Sequence, residues 1–524
     1  MSDKATYRLL ANAVLLHIEG KREEALAELN RASEMADLPE IRAAMGLIHF
    51  ELKQYEPALA CYTRAAALQP GHKATMFNQA LCLQHLGRWE ESRELYAGVL
   101  QAEPGKLDAQ LGLGVCLLHL GRPEEALGRF AECLRRSPAH SEALFGTAVA
   151  HQLAGRLDDA VAAYNAVLES NPESEEALSN LMAIGIQRKD VEMVWINGER
   201  LLRIKPRSST ALEGLAASAF SKGDFEAAAR YLEELIHITP ESFEVRFNLG
   251  VACQKLGRLD EAIEAYAAAA AQEPQSLQVQ FNLGLAYQDK GDLDSAKGAY
   301  QKAIALSPES SASRWNLALI FEQEGNLGEA ERLYKDLLER DPSWAEASFR
   351  LGYLRLKRGD YSGGAEAFRS CLEARPEWLQ AELNLGFAFF RMGDLQSAHH
   401  AFEDALRIEP QCVDAIRPLA ELAVLQEDHA HALELQRRLI DLGERSPEDL
   451  YNTGLLLQKE GHNEEAARYY EQALAAKPDL AEAALNLGHV LKLMGREQEA
   501  LEHWRRALEA KPELAAGYFT SAAA

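Results

Sequence analysis

Basic residues are scarce in this sequence. Lysine and arginine number 55 against 80 aspartates and glutamates, a net charge of −25. That balance repels phosphate backbones and anionic lipid surfaces, so neither nucleic acid nor a membrane is expected as a partner. Long apolar runs are missing as well, and nothing approaches the roughly 18 residues of a membrane span. The one early apolar stretch, Leu9 to Ile18, is interrupted by Asn12 and His17 and no small-residue cleavage site follows it, so it reads as a first helix. The seven cysteines form no CxxC and are odd in number, which fits a reduced compartment, the cytoplasm, better than a disulfide framework. There is no GxxxxGK(S/T), HExxH or GxSxG, and no serine, histidine and acid that spacing brings together. No enzyme, cofactor or metal site is expected.

No Pro/Gly/Ser-rich linker interrupts the 524 residues, a length too great for one compact core. What is present is a repeat. Pro70, Pro104, Pro138, Pro172, Pro206, Pro240, Pro274, Pro308, Pro342, Pro376 and Pro410 stand 34 residues apart; Glu444 takes the next place, and Pro478 and Pro512 resume the ladder. With proline as position 32, glycine recurs at position 15, for example at Gly87, Gly257 and Gly393. Proline ends a second helix and glycine turns the chain after a first. Ser174, Ser242, Ser276 and Ser310 are placed to cap first helices, and Asp158, Asp260 and Asp294 to cap second ones. Small residues at position 8, such as Gly250 and Gly284, and at position 20, such as Ala262 and Ala296, mark close helix contact, and aromatics at position 24, such as Tyr266 and Tyr300, fill the space between one unit and the next.

This set of correlated positions resembles the tetratricopeptide repeat over residues 6 to 512. One departure is that the aromatic expected at position 4 has moved to position 5. The resemblance implies an all-α fold, a right-handed superhelical solenoid of about fifteen helix-turn-helix units. They start near 6, 39, 73, 107, 141, 175, 209, 243, 277, 311, 345, 379, 413, 447 and 481 in one continuous array over 1–514, with a short tail or partial cap at 515–524. No appended catalytic domain is expected.

The resemblance further implies that first helices line a concave groove through positions 2, 5, 6, 9 and 12. Over 243–412 position 5 carries Phe247, Phe281, Trp315 and Phe349, and position 6 carries Asn248, Asn282, Asn316 and Asn384, while Tyr353, Phe387 and Phe390 add aromatic area. An asparagine amide offers one donor and one acceptor to a peptide backbone whatever the peptide's sequence. In this the array is similar to the repeat superhelix of protein O-GlcNAc transferases, whose inward asparagines hold substrate polypeptide. The expected function is a scaffold or adaptor that binds an extended or helical protein segment in the groove. Two alternatives use the same architecture: the substrate-recruiting subunit of a separately encoded enzyme, and a self-assembling array in which copies join through their terminal repeats. The carboxylate clamp of related three-repeat domains is not expected, because Arg350 at position 6 has Glu346 as its position-2 companion.

A duplicated CxxH, Cys82 with His85 and Cys116 with His119, has the residue types of a zinc site. Matching positions in adjacent repeats start about a helix diameter, roughly 10 Å, apart, so repeat duplication is the simpler reading. Two units break the pattern. Residues 175–208 carry Met182 at position 8, Lys189 at 15 and Gly198 at 24; residues 413–446 carry Pro418, Glu427 at 15 and Glu444 at 32. Each could be a hinge, a docking surface or drift, and Pro418 is expected to shorten or bend its helix.

Overall fold

In a computed structural model, which describes residues 2–515, thirty α-helices and one closing 3-10 turn follow one another, with no strand among the described residues. They form fifteen antiparallel pairs. The eighth pair, Phe243–Lys255 and Leu259–Gln272, is representative. Most of the tail expected at 515–524 lies outside the described residues.

Each helix is short, 13 or 14 residues after the 17-residue Ser2–Ile18, and alone would be marginal in water. Packing supplies the stability. Glycine at position 8 lets the position-24 ring of the same repeat lie on the helix backbone: a Cβ on Gly250 would stand 2.5 Å from the Tyr266 ring, and one on Gly284 the same from Tyr300. The ring reaches the following repeat too, where a Cβ on Gly112 or Gly146 would strike Tyr96 or Phe130. Position 24 therefore joins its own repeat as well as the next.

All fifteen turns between paired helices pass through a left-handed residue. Twelve use glycine, and Lys53, Lys189 and Glu427 do so with φ of 59°, 57° and 61°. Capping follows a rule that differs in part from the expected one. Ser174, Ser242 and Ser310 accept from backbone amides as expected, whereas Ser276 makes no such bond. Second helices are capped from position 16, by Asp190, Asp224, Asp292, Asn326, Asp360, Asp394 and Asp428. Asp158, Asp260 and Asp294 sit inside the first turn instead, where a carboxylate complements the helix dipole.

The helices gather into two compact units, Met1–Pro274 and Gln275–Ala524. In the first unit the first helices of successive repeats touch over 73–153 and again between Glu175–Arg188 and Ser209–Lys222. In the second they touch between Ala345–Lys357 and Leu379–Met392 and between Pro447–Lys459 and Ala481–Leu493. Second helices touch one another less, so in each unit the first-helix layer is the tighter, inner side.

Pro418 does not shorten its helix, which runs Val413–Leu425, as long as its counterparts. In the same repeat the second helix ends at Asp441 through left-handed Gly443, and the Glu444 amide donates to the Leu439 carbonyl at 2.9 Å, a bond that proline could not make. Arg417 then donates to Glu444 at 2.9 Å and to buried Asp449 at 2.6 Å.

Candidate peptide-binding wall

The position-5 aromatics are half-buried, each lying against the position-24 ring of its own repeat. In the first unit Phe247 is 5.7 Å from Tyr266 and stacks on Phe243 at 6.0 Å. In the second, Phe281 is 5.9 Å from Tyr300, Trp315 5.6 Å from Tyr334 and Phe349 5.6 Å from Phe368. Two rings that the sequence reading passed over join them. Trp344 stacks on Trp315 at 5.1 Å and Trp378 on Phe349 at 4.6 Å, with the Arg375 guanidinium 4.7 Å above Trp378. Both tryptophans occupy position 34, the N-cap of the following first helix, and neither makes a capping bond. Their identical spacing was the available signal. Tyr353 is half-buried beneath the Lys357 ammonium at 4.7 Å, and Phe387, 43% exposed, carries Arg391 at 5.7 Å.

The asparagines divide. Asn316 donates to the Tyr300 hydroxyl of the preceding repeat at 3.3 Å. Asn78 bonds likewise to Tyr62, and Asn486 donates to the Tyr451 hydroxyl at 3.1 Å. The tyrosine hydroxyl at position 24 in turn donates to a glutamine at position 12: Tyr96 to Gln84 at 3.0 Å, Tyr164 to Gln152 at 2.7 Å, Tyr300 to Gln288 at 2.9 Å and Tyr470 to Gln458 at 2.8 Å. Burial pushes these phenols well above their usual range, so the O–H remains a donor. One junction uses other residues for the same purpose. Tyr334 donates to Glu322 at 3.1 Å, and Arg350 of the next repeat donates to that carboxylate at 3.1 Å. Position 6 is thus a latch between repeats after Tyr62, Tyr300, Tyr334 and Tyr470, but not after Tyr96, where Gly112 holds the position. Asn248 follows Leu232 and Asn384 follows Phe368, which have no hydroxyl; Asn248 is exposed, and Asn282 and Asn384 are half-buried.

Acidic residues at position 2 are also engaged, since Glu448 pairs with Lys477 at 3.1 Å and Glu482 with Lys511 at 2.6 Å, each basic partner at position 31. The CxxH residues point apart. Cys82 and Cys116 are buried, while His85 stacks on Tyr55 at 4.5 Å and His119 on Trp89 at 3.8 Å. All seven cysteines are free thiols, and no helix among the described residues is long and apolar enough to cross a membrane.

Hollows lie on the first-helix wall of both units. One of about 550 Å³ in the first unit is lined by Leu111, Val115, Phe145 and Val149, at positions 5 and 9, with Glu142 and Asn171. Another of about 420 Å³ in the second lies between Phe390 and the repeats at 413 and 447.

Sequence models of the tetratricopeptide repeat match residues 39–72, 72–139, 120–175, 219–283, 281–343, 325–377, 383–448 and 451–515. The chain belongs to the tetratricopeptide repeat family. No curated protein matches this tetratricopeptide chain. Among solved structures it is similar to YrrB, titled a TPR protein with an unusual peptide-binding site, at 19% identity over 36% of this chain and 98% of that one, with a TM-score of 0.33. It is similar to Naa15/Naa10 bound to HypK-THB at 14% identity over 97% and 94% of the two chains, with a TM-score of 0.31. The APC/C hetero-tetramer Cut9–Hcn1 gives 14% identity, 88% and 98% coverage and a TM-score of 0.30.

Proposed function

We propose that this tetratricopeptide protein is a scaffold or adaptor that holds an extended or helical segment of another protein along its first-helix wall, without catalysis of its own. The observation that carries this reading is the paired aromatics of the second unit, Trp315 with Trp344 and Phe349 with Trp378. At position 34 five other repeats place a capping serine, Ser174, Ser208, Ser242, Ser310 and Ser446, each worth roughly 0.5 to 2 kcal/mol to its helix. Trp344 and Trp378 forgo that bond, and each keeps only part of its ring covered. Ring stacking contributes about 0.5 to 1.5 kcal/mol and offsets the lost cap without accounting for the aromatic area left in water. A partner segment laid across Trp315, Trp344, Phe349 and Trp378 would cover it, with Tyr353 and Phe387 extending the contact. In this reading Asn384 is the asparagine of that wall best placed to bond a peptide backbone, because Asn316 is committed to Tyr300.

The test is capture from a native lysate by wild type and by the Trp315→Ala, Phe349→Ala pair, both checked for unaltered helix content. Loss of the partner is expected, and capture at the wild-type level overturns the reading. If the captured partner is an enzyme, the protein is its substrate-recruiting subunit.

A second reading, end-to-end self-association, is favoured by apolar exposure in the first and fifteenth repeats, where Leu15 is 60%, Ile18 75% and Leu493 69% exposed. Light scattering at rising concentration tests it, and a constant monomer mass removes it.

A further inference from the structure

The hollow of about 420 Å³ in the second unit lies against the one repeat of that unit that lacks its ring. Position 24 of the repeat at 413–446 is Gln436, where its counterparts in this unit are Tyr300, Tyr334, Phe368, Phe402, Tyr470 and Trp504. The small residue opposite, Ala420, is still in place. So is Asn452 of the next repeat, at the position from which Asn316 bonds the tyrosine before it. The space for a ring is therefore flanked as in the other repeats while the ring itself is not in the chain, and because position 12 of this repeat is Val424, the role of hydroxyl acceptor falls to Gln436. Val424, Leu455 and Phe390 make the walls apolar. Gln436 is only 6% exposed, and its Oε1 is buried without a hydrogen-bond partner. A buried carbonyl oxygen in that state costs about 1 to 3 kcal/mol, and a ligand that brings a donor to it recovers that cost.

We propose that this hollow is an anchor site for a tyrosine side chain of the bound polypeptide, which supplies in trans the ring that every other repeat of this unit supplies in cis. The proposal rests on the scaffold reading and specifies where its ligand is gripped. The size is sufficient, because a dry cavity of roughly 150 Å³ holds benzene. The chemistry selects phenol over a plain ring: once the Gln436 amide turns its carbonyl toward the hollow, the O–H donates to it, as the tyrosines of regular repeats donate to glutamine at position 12, and the phenol oxygen accepts from Asn452. The partner's backbone would leave the site past Glu421 and Lys459, which also border the hollow.

The probes are p-cresol, the tyrosine side chain without its backbone, and toluene, the corresponding phenylalanine analogue. They are titrated into the full-length protein by ligand-observed NMR. Wild type is expected to bind p-cresol more tightly than toluene by about three- to tenfold, the worth of one buried hydrogen bond. Gln436→Leu keeps the hollow and removes the acceptor, so the preference for p-cresol should vanish while toluene still binds. Gln436→Tyr fills the socket from within, and both probes should be lost from a protein whose circular dichroism is unchanged and whose melting temperature is not lowered. Equal affinity of the two probes for wild type, absence of binding, or binding that survives Gln436→Tyr each overturns the proposal. The two readings fail separately. If the probes fail while the Trp315→Ala, Phe349→Ala pair still loses its partner, the tyrosine site falls and the scaffold stands. If that capture is also unchanged, both fall.

Discussion

The repeats at 175–208 and 413–446 break the same rule and end differently. Both lack the aromatic at position 24, and both carry a non-glycine in the left-handed turn. In the first, Gly198 stands where the ring should be, but Met182 replaces the small residue opposite and is fully buried. A Cβ on Gly214 of the next repeat would stand 2.5 Å from the Met182 Cε. The regular ring presses on that same glycine position, as Tyr96 does at Gly112. Large and small residues have changed places, and the hollow left beside Gly185 and Gly214 is the smaller of the two, about 240 Å³. In the second repeat no exchange took place. Ala420 faces Gln436, and a cavity remains. The required quantity is thus the summed volume of positions 8 and 24, and a repeat that departs from the consensus at both is sound when the departures are complementary.

Four tests would break or sharpen this contrast. The largest effect is expected from Met182→Ala, which removes the only large side chain of its pair and should cost about 3 kcal/mol in denaturant unfolding. Adding Gly198→Tyr should recover most of it, and a loss under about 0.5 kcal/mol for the single change would show that the exchange carries no packing energy. Next, Gly250→Ala in a regular repeat should destabilise by about 1 to 2 kcal/mol, because the new methyl meets the Tyr266 ring. Helix propensity alone predicts a gain of roughly 0.5 to 1 kcal/mol, so the sign of the change in melting midpoint decides. Third, Gln436→Tyr should stabilise by about 1 kcal/mol by filling the hollow and relieving a buried unpaired amide, whereas the same ring at 198 with Met182 retained should overpack and destabilise. Smallest, Lys189→Gly and Glu427→Gly should each gain at most about 1 kcal/mol by relieving a left-handed non-glycine residue, read as small rises in the denaturation midpoint. A drop in either would mean that the side chain, and not the backbone, holds that turn.

The fold was legible because the register is carried by residues whose backbone roles are unambiguous. Proline at 32 and glycine at 15 mark most ends of second and first helices, and glycine at 8 with an aromatic at 24 marks the packing. The wall was legible only in part. Aromatics at position 5 were found from spacing, but Trp344 and Trp378 lie at a position read as a cap, where side-chain chemistry differs between repeats. The asparagine row looked uniform in sequence and is not uniform in space, because its role depends on a residue sixteen places earlier. That dependence left a trace within the chain. Glutamine or glutamate stands at position 12 in the repeats of Tyr96, Tyr164, Tyr266, Tyr300, Tyr334 and Tyr470, while Phe130, Phe368 and Phe402 go with Leu118, Leu356 and Phe390; Tyr62, with Phe50 at position 12, is the exception. A hydroxyl calls for an acceptor and a plain ring does not. Cap positions were misassigned by two residues because Asp158, Asp260 and Asp294 recur as regularly as the true caps.

The latch also defines where the chain can be cut and rejoined. A block taken from position 1 to position 34 carries a tyrosine and its glutamine but takes its asparagine from the wrong neighbour, since the asparagine that serves that tyrosine belongs to the block that follows. A block running from position 7 to position 6 of the next repeat carries all three together, and the Glu322, Tyr334 and Arg350 set fits inside one such block. The transferable cassette of this array is therefore permuted by six residues from the helical hairpin that the eye picks out. Chimeras spliced just after position 6 keep each position-24 latch whole and divide only the Asn486–Tyr451 bond, while those spliced at the proline ladder must match donor and acceptor across each seam.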